Sequence, residues 1–118
     1  MRVARKVLAW EGARPHSHVD VTLVSGAQMR RLNRRATGRR GLTDVIAYSL
    51  PQPDGSLLGD VYICPEGAAP ERDELIRLAV HGTLHVLGYD HPEGANRTRS
   101  TMWRRQERYV KRLRGARS

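Results

Sequence analysis

Residues 81–91 read His81-Gly-Thr-Leu-His85-Val-Leu-Gly88-Tyr-Asp-His91, and this stretch decides which fold and which site the sequence predicts. Two histidines four positions apart on a helix lie on the same face, about one turn from each other. Gly88 can adopt the left-handed conformation that ends a helix, so that the chain turns and brings His91 back toward that face. Three imidazoles that converge in this way are typical ligands of a zinc site whose fourth position is left for water. We therefore predict that His81, His85 and His91 bind one Zn²⁺ ion per chain.

The same spacing is found in the metzincin proteases, whose motif is His-Glu-x-x-His-x-x-Gly-x-x-His. Gly82 stands where those enzymes carry the glutamate that acts as general base, so a metallopeptidase would lack its base here. Glycine inside a helix costs about 1 kcal/mol relative to alanine. We expect it where a side chain would crowd a metal, a substrate or a neighbouring backbone. A metzincin-like metallopeptidase remains an alternative interpretation.

The charge of the chain predicts a polyanionic partner. The 118 residues carry a formal net charge of +9, and the arginines cluster in residues 30–40 and 97–114. A basic surface attracts polyanions, most often nucleic acid. An acidic membrane surface, or high solubility alone, would also fit the charge. The clustering favours polyanion binding over a merely solvated face.

The sequence further predicts a soluble, cytoplasmic protein without a membrane partner. Cys64 is the only cysteine, which excludes an internal disulfide and fits a reducing compartment. We interpret it as a small buried residue. No signal peptide is apparent, because residues 1–10 carry charges throughout. No apolar segment approaches the roughly 20 residues needed to cross a bilayer. The oligomeric state is not predicted.

The predicted elements mix helices with strands. Helical periodicity and capping residues, with Ser25 as one cap, indicate helices at about residues 2–11, 27–36, 70–87 and 97–114. Alternating β-branched residues indicate strands at 19–24, 44–50 and 57–64, the last two paired as an antiparallel hairpin. This order predicts one α+β domain over residues 1–118, a small mixed β-sheet packed with about four helices, with residues 115–118 frayed. The zinc site lies on the third helix.

These residues resemble a known family, the YbeY endoribonucleases. Residues 81–91 match its signature, His-Gly-x-Leu-His-x-x-Gly-Tyr-Asp-His, at every fixed position. Weaker similarity covers most of residues 19–110 and includes Leu32-Asn33, Thr43-Asp44-Val45, Gly59-Asp60 with Cys64, and Met102 with Glu107.

The resemblance implies a small α+β fold and a zinc ion held by the three histidines. It implies a metal-dependent, single-strand-specific endoribonuclease, a hydrolase that acts in 16S rRNA 3′-end maturation and ribosome quality control. The implied partners are ribosomal RNA and the ribosome, with no DNA specificity expected.

Catalytic residues are specified less well than the metal ligands. YbeY proteins commonly carry an arginine, proposed to act in catalysis, where this chain has Thr37. Arg35 or Arg39, two residues on either side of Thr37, is a candidate to replace that arginine, and the predicted catalytic candidates are Arg39 and Asp90. The sequence shows no obvious general base, and Asp90 can equally orient an imidazole. Asp44 is a candidate site residue or a local partner of the backbone. RNA phosphates are expected to contact the arginines of the same segment, Arg34, Arg35, Arg39 and Arg40.

A third interpretation comes from a different class of function. The chain would be a ribosome- or RNA-binding assembly factor whose zinc is structural. Thr37 and the missing general base favour this alternative.

Overall fold

The computed structural model describes residues 2–37, 44–65, 72–90 and 100–115, and it describes the side chains in these ranges except those of residues 35–37. The elements follow in the order α1 (Arg2–Trp10), β1 (His18–Leu23), α2 (Gly26–Thr37), β2 (Val45–Pro51), β3 (Leu57–Ile63), α3 (Arg72–Val86) and α4 (Thr101–Gly115). Four helices and a mixed three-stranded sheet in the described ranges confirm the predicted α+β class.

The sheet has the strand order β1-β3-β2, so β3 occupies its centre. Strands β2 and β3 pair antiparallel from Val45↔Ile63 to Pro51↔Leu57, which confirms the predicted hairpin. Strand β1 pairs parallel with β3, in a register that starts at His18↔Leu58. Parallel strands need a long connection, and α2 with β2 provides it here.

Side chains of α3 are buried on more than one face of the helix, because the sheet packs on one side and other helices pack on another. A core cluster joins α3 to α1 and α4 and contains Val7, Ile76, Val80, Leu84, Met102, Tyr109, Val110 and Leu113. A second cluster joins α3 and α1 to the sheet and contains Ala4, Leu8, Val19, Val61, Ile63, Ala79 and Val86. The helix that carries His81 and His85 is therefore held from two sides.

Helix α2 covers part of the opposite face of the sheet. Met29 of α2 packs with Ile46 and Cys64, all three buried. The alternation of side chains along a strand places Ile46 and Cys64 away from α3. The predicted burial of the single cysteine is confirmed. In the described ranges, no helix is long and apolar enough to cross a bilayer.

Glu11, directly after α1, is a carboxylate that joins three parts of the fold. Its side chain is only 7% exposed, and it accepts hydrogen bonds from Tyr89 Oη at 2.6 Å, from Arg105 Nη1 at 2.8 Å and from Tyr109 Oη. Burial raises the pKa of the Glu11 carboxyl, but the hydrogen bonds from Tyr109 and Tyr89 and the charge of Arg105 outweigh it, so the pKa lies below its usual value of 4.5. Glu11 thus ties α1 to α4 and to the segment that follows α3.

We expect Glu11→Gln to lower the free energy of unfolding by about 1–2 kcal/mol at neutral pH, because three donors lose a charged acceptor. The pKa of Glu11 is lower in the folded protein than in the unfolded chain. Its contribution is therefore complete above about pH 5 and is lost as the pH falls through the lowered pKa. Urea unfolding of wild type and variant across this pH range measures the difference.

Asp20→Asn, which changes an exposed carboxylate on β1, serves as the control. It is expected to alter the free energy of unfolding by no more than about 0.5 kcal/mol. The account of Glu11 is contradicted if its variant shows the same deficit at neutral pH and at the lowest pH at which the protein still folds.

Candidate metal centre and its cavity

Helix α3 presents a line of side chains to an open cavity. Helical spacing places Glu74, His81 and His85 on one face. The cavity has a volume of about 420 Å³ and lies between α3, the start of β2 and α4. Its described lining residues are Asp44, Val45, Ala47, Glu74, Arg77, Leu78, His81, His85, Trp103 and Gln106. The two predicted ligands of α3 therefore face a space that a substrate can enter.

His81 and His85 direct the same ring nitrogen toward each other. Their Nε2 atoms are 3.1 Å apart, and the two rings are nearly perpendicular, with centroids 4.7 Å apart. Two nitrogens bound to one tetrahedral zinc ion at about 2.0–2.1 Å from the metal are about 3.3 Å apart. The separation of the two Nε2 atoms therefore fits a shared ion to within a few tenths of an ångström.

Gly88 ends α3 in the predicted left-handed conformation, with φ of +100°. The Gly88 amide donates to the His85 carbonyl at 3.0 Å, and the Tyr89 amide donates to the Leu84 carbonyl at 3.0 Å. This pair of bonds is the Schellman motif, which satisfies carbonyls that the end of a helix leaves free. The predicted helix end at Gly88 is confirmed.

The predicted third ligand, His91, lies outside the described residues. Within the described ranges, no group of three or more His, Cys, Asp or Glu side chains is positioned to hold a metal ion. The complete three-histidine site therefore remains a prediction, with two of its members side by side in the structure.

Helix α4 supplies polar partners to the His81 side of the cavity. Gln106 is 2% exposed, and its Oε1 lies 2.6 Å from His81 Nδ1. The next residue, Glu107, accepts two hydrogen bonds from Arg77 of α3, from Nε and Nη2, both at 3.0 Å. These bonds hold the pKa of the Glu107 carboxyl below its usual value of 4.5 and raise the pKa of Arg77, because each charged form stabilises the other.

Of the other site residues predicted from the sequence, some lie among the described residues and others do not. Asp44 lines the cavity, whereas Asp90 is exposed and is not among the described residues that line it. Arg34 is exposed on α2, and Arg35 lies on the same helix, with its side chain outside the description. The other two arginine candidates, Arg39 and Arg40, lie outside the described residues.

The charged, amide and aromatic lining residues that were not found from the sequence are Glu74, Arg77, Trp103 and Gln106. Glu74 and Arg77 precede His81 by seven and four residues. This helical spacing places them on the same face as His81, so the sequence could have identified them. Trp103 and Gln106 had no such signal, because nothing local shows that α4 packs beside the histidines.

Gly82 permits close packing of α3 on the sheet. A Cβ atom at Gly82 would overlap Cγ1 of Val61 and lie 3.2 Å from Cγ2 of Val45. These nearest atoms belong to side chains of the sheet, whereas the sequence had suggested a metal, a substrate or a neighbouring backbone as the crowded group. Gly59 of β3 accommodates Val86 of α3 in the same way, because a Cβ there would lie 2.6 Å from Cγ1 of that valine.

The family model described as Endoribonuclease YbeY matches residues 1–114. The chain belongs to the YbeY family. This match covers α1 to β3, α3 with both histidines of the pair, and α4 as far as Arg114.

Individual YbeY proteins agree with this assignment. The chain is 37% identical to Endoribonuclease YbeY of Rhodococcus erythropolis, in a match that covers 77% of this chain and 61% of that protein. It is 35% identical to Endoribonuclease YbeY of Micrococcus luteus, with coverage of 98% and 82%. It thus spans less than two thirds of the length of the Rhodococcus relative.

The fold is also similar to a solved structure. The solution structure of TM1509 from Thermotoga maritima matches with a TM-score of 0.57 and 29% sequence identity. The match covers 98% of this chain and 76% of that one. The arrangement of helices and strands is therefore shared with a structure determined independently.

We expect Gly82→Ala to destabilise this YbeY protein by about 1–3 kcal/mol, because the new methyl group overlaps Val61. The valine side chain is β-branched and moves aside poorly. Helix propensity alone would instead stabilise the alanine variant by about 1 kcal/mol. The sign of the change in urea-unfolding free energy therefore separates the two effects.

Val61→Ala provides the matched background. There the same Gly82→Ala substitution should cost less, because the overlapping methyl groups are gone. Stabilisation by Gly82→Ala in the wild-type background would contradict the close contact.

Proposed function

We propose that this YbeY protein is a zinc-dependent endoribonuclease that cuts single-stranded RNA. Its proposed substrate is 16S rRNA, which it processes at the 3′ end in maturation and ribosome quality control in the cytoplasm. The observation that carries the proposal is the His81–His85 pair, which faces an open cavity in a chain of the Endoribonuclease YbeY family.

The donor set fits zinc. Imidazole nitrogen is a common ligand for this ion, and three such ligands leave a position open for catalysis. His81, His85 and His91 would hold it. The chemistry that a bound zinc ion supplies is polarisation of a phosphoryl oxygen and acidification of water.

The side chains that line the cavity include candidates for the general base, which the sequence did not identify. Asp44 and Glu74 are the described carboxylates that line it, and we propose them as candidates for the general base that Gly82 cannot provide. The proton they accept comes from water or from the ribose 2′-hydroxyl. The earlier candidates Arg39 and Asp90 remain part of the proposal.

Binding of single-stranded RNA follows from charge and from one aromatic side chain. The net charge of +9 attracts the phosphate backbone from a distance. Arg34, exposed on α2, contacts phosphates together with the other arginines of that segment, Arg35, Arg39 and Arg40. Trp103, half-buried beside the histidines, offers its ring to an unpaired base.

Loss of His85 should remove both zinc and RNA cleavage. In His85→Ala we expect cleavage of a single-stranded 16S rRNA 3′-end fragment to fall by more than the ~10–100-fold that loss of an outer partner costs. Metal content is measured on the same samples. His18→Ala changes an exposed histidine on β1 and should retain both zinc and activity.

Arg39→Ala in the same assay separates metal binding from catalysis. If Arg39 acts in the reaction, its variant keeps zinc and loses cleavage. Zinc-loaded protein that cuts casein and leaves RNA intact would support a peptidase and overturn the nuclease. Histidine variants that lose zinc and keep 16S maturation would instead indicate an assembly factor with structural zinc.

We expect Trp103→Leu to weaken binding of single-stranded RNA about 5- to 150-fold, which corresponds to the roughly 1–3 kcal/mol of one base stacked on an aromatic ring. Trp103→Phe keeps an aromatic face and should lose less. Duplex RNA of equal length should respond little, because its bases already stack on each other. Equal losses for the leucine and phenylalanine variants would contradict a stacking role.

A further inference from the structure

Gln106 is a buried polar side chain whose two ends make different contacts. Its Oε1 lies 2.6 Å from His81 Nδ1, and its Nε2 donates to Glu107 Oε2 at 3.0 Å. A buried amide is costly unless it is hydrogen-bonded. Both ends of Gln106 meet this requirement, and they link α4 to the candidate metal ligand on α3.

Glu107 determines which end of the Gln106 amide faces which neighbour. An ionised carboxylate only accepts hydrogen bonds, and Arg77 donates to both oxygens of Glu107. Gln106 must therefore present its NH₂ group to Glu107, which leaves its oxygen toward His81. If the amide were rotated by half a turn, two acceptors would face each other.

The orientation of the amide in turn selects the tautomer of His81. An amide oxygen only accepts, so Nδ1 of the neutral His81 ring must carry the hydrogen. The lone pair then lies on Nε2, the atom that points to His85 across 3.1 Å. Free histidine favours the opposite tautomer, in which Nε2 carries the hydrogen and has no lone pair for a metal.

We infer that Gln106 is a positioning residue that sets the tautomer of His81, and that Arg77 and Glu107 hold Gln106 in the required orientation. We call Arg77 of α3, together with Glu107 and Gln106 of α4, the Gln106 relay. Its consequence for zinc affinity rests on the proposed function, whereas its effect on the tautomer does not. The relay gives His81 the tautomer that metal binding requires before a metal ion is bound.

The first experiment measures the tautomer in metal-free, ¹⁵N-labelled protein, in mildly alkaline buffer where the rings are neutral. Long-range ¹H–¹⁵N spectra distinguish Nδ1–H from Nε2–H, and His81→Asn assigns the signals. Wild type and Gln106→Glu should show Nδ1–H, because amide oxygen and carboxylate both accept from His81. The glutamate variant also loses the donor to Glu107, so its free energy of unfolding should fall while the tautomer is kept. Gln106→Leu should move His81 toward Nε2–H, whereas Gln52→Leu, a glutamine substitution near the β2–β3 turn, should change nothing.

The second experiment measures zinc affinity by competition with a chromophoric chelator. Gln106→Leu should bind zinc about 10–100-fold more weakly, as expected for loss of an outer partner of a metal ligand. Gln106→Glu should bind zinc at least as tightly as wild type, because it keeps the acceptor. If Gln106 had only a structural role, Gln106→Glu would not keep the zinc affinity of wild type, and Gln106→Leu would not change the tautomer of His81.

Glu107→Gln tests whether Glu107 orients the Gln106 amide. It also replaces Gln106→Leu as the test of the relay if the leucine variant does not fold. An amide at position 107 can donate as well as accept, so Gln106 is free to turn over and His81 should show both tautomers. The relay is overturned if wild-type His81 carries its hydrogen on Nε2. It is also overturned if the tautomer is the same in Gln106→Glu and Glu107→Gln.

Failure of the relay differs from failure of the proposed function. A wild-type protein that binds no zinc overturns the proposed metal site, and the tautomer spectra still test the relay. Equal zinc affinity of wild type and Gln106→Leu, with an unchanged tautomer, overturns the relay alone.

Discussion

Helix α3 lies against the sheet through two reciprocal contacts, in each of which a valine occupies the space that a glycine leaves. Val61 of β3 packs against Gly82, and Val86 of α3 packs against Gly59. Because the glycine has no side chain, each valine lies closer to the opposing backbone than a larger residue there would allow. These contacts fix the distance between the helix and the sheet and the rotation of the helix. With Gly82 turned to the sheet, the helix directs His81 and His85 to the cavity beside β2.

Packing elsewhere completes the surroundings of that face. The cluster with α1 and α4 holds α3 from another side, and α4 brings Trp103 and Gln106 to the cavity wall. The Glu11 carboxylate also connects these elements, because it accepts hydrogen bonds from the segment after α3 and from α4. The site therefore depends on three elements whose relative positions are set by contacts outside it.

Features that depend on neighbouring residues were predictable from the sequence. Ser25 forms the expected cap, since its Oγ accepts from the Gln28 amide and the Gln28 side chain accepts from the Ser25 amide. The β2–β3 hairpin and the Gly88 helix end also follow from local chemistry. The histidine pair follows from spacing along one helix.

Features that join distant residues were not predictable. The three donors to Glu11 lie 78 to 98 residues further along the chain, and Gln106 lies 25 residues from His81. The periodicity of α4 indicates a helix and an apolar face, but it does not indicate which helix that face meets. The polar side chains beside that face acquire their roles only from the packing.

The central claim is that α3 holds two imidazoles of one zinc site, and zinc-edge X-ray absorption on the zinc-loaded protein tests it most directly. If His81, His85 and His91 bind the ion, the spectrum shows a shell of three imidazole nitrogens at about 2.0–2.1 Å, with the outer-ring scattering that histidine produces. In His85→Ala that shell should lose a nitrogen or the metal should be absent. A sulfur shell at about 2.3 Å, or oxygen ligands without imidazole scattering, would contradict the account.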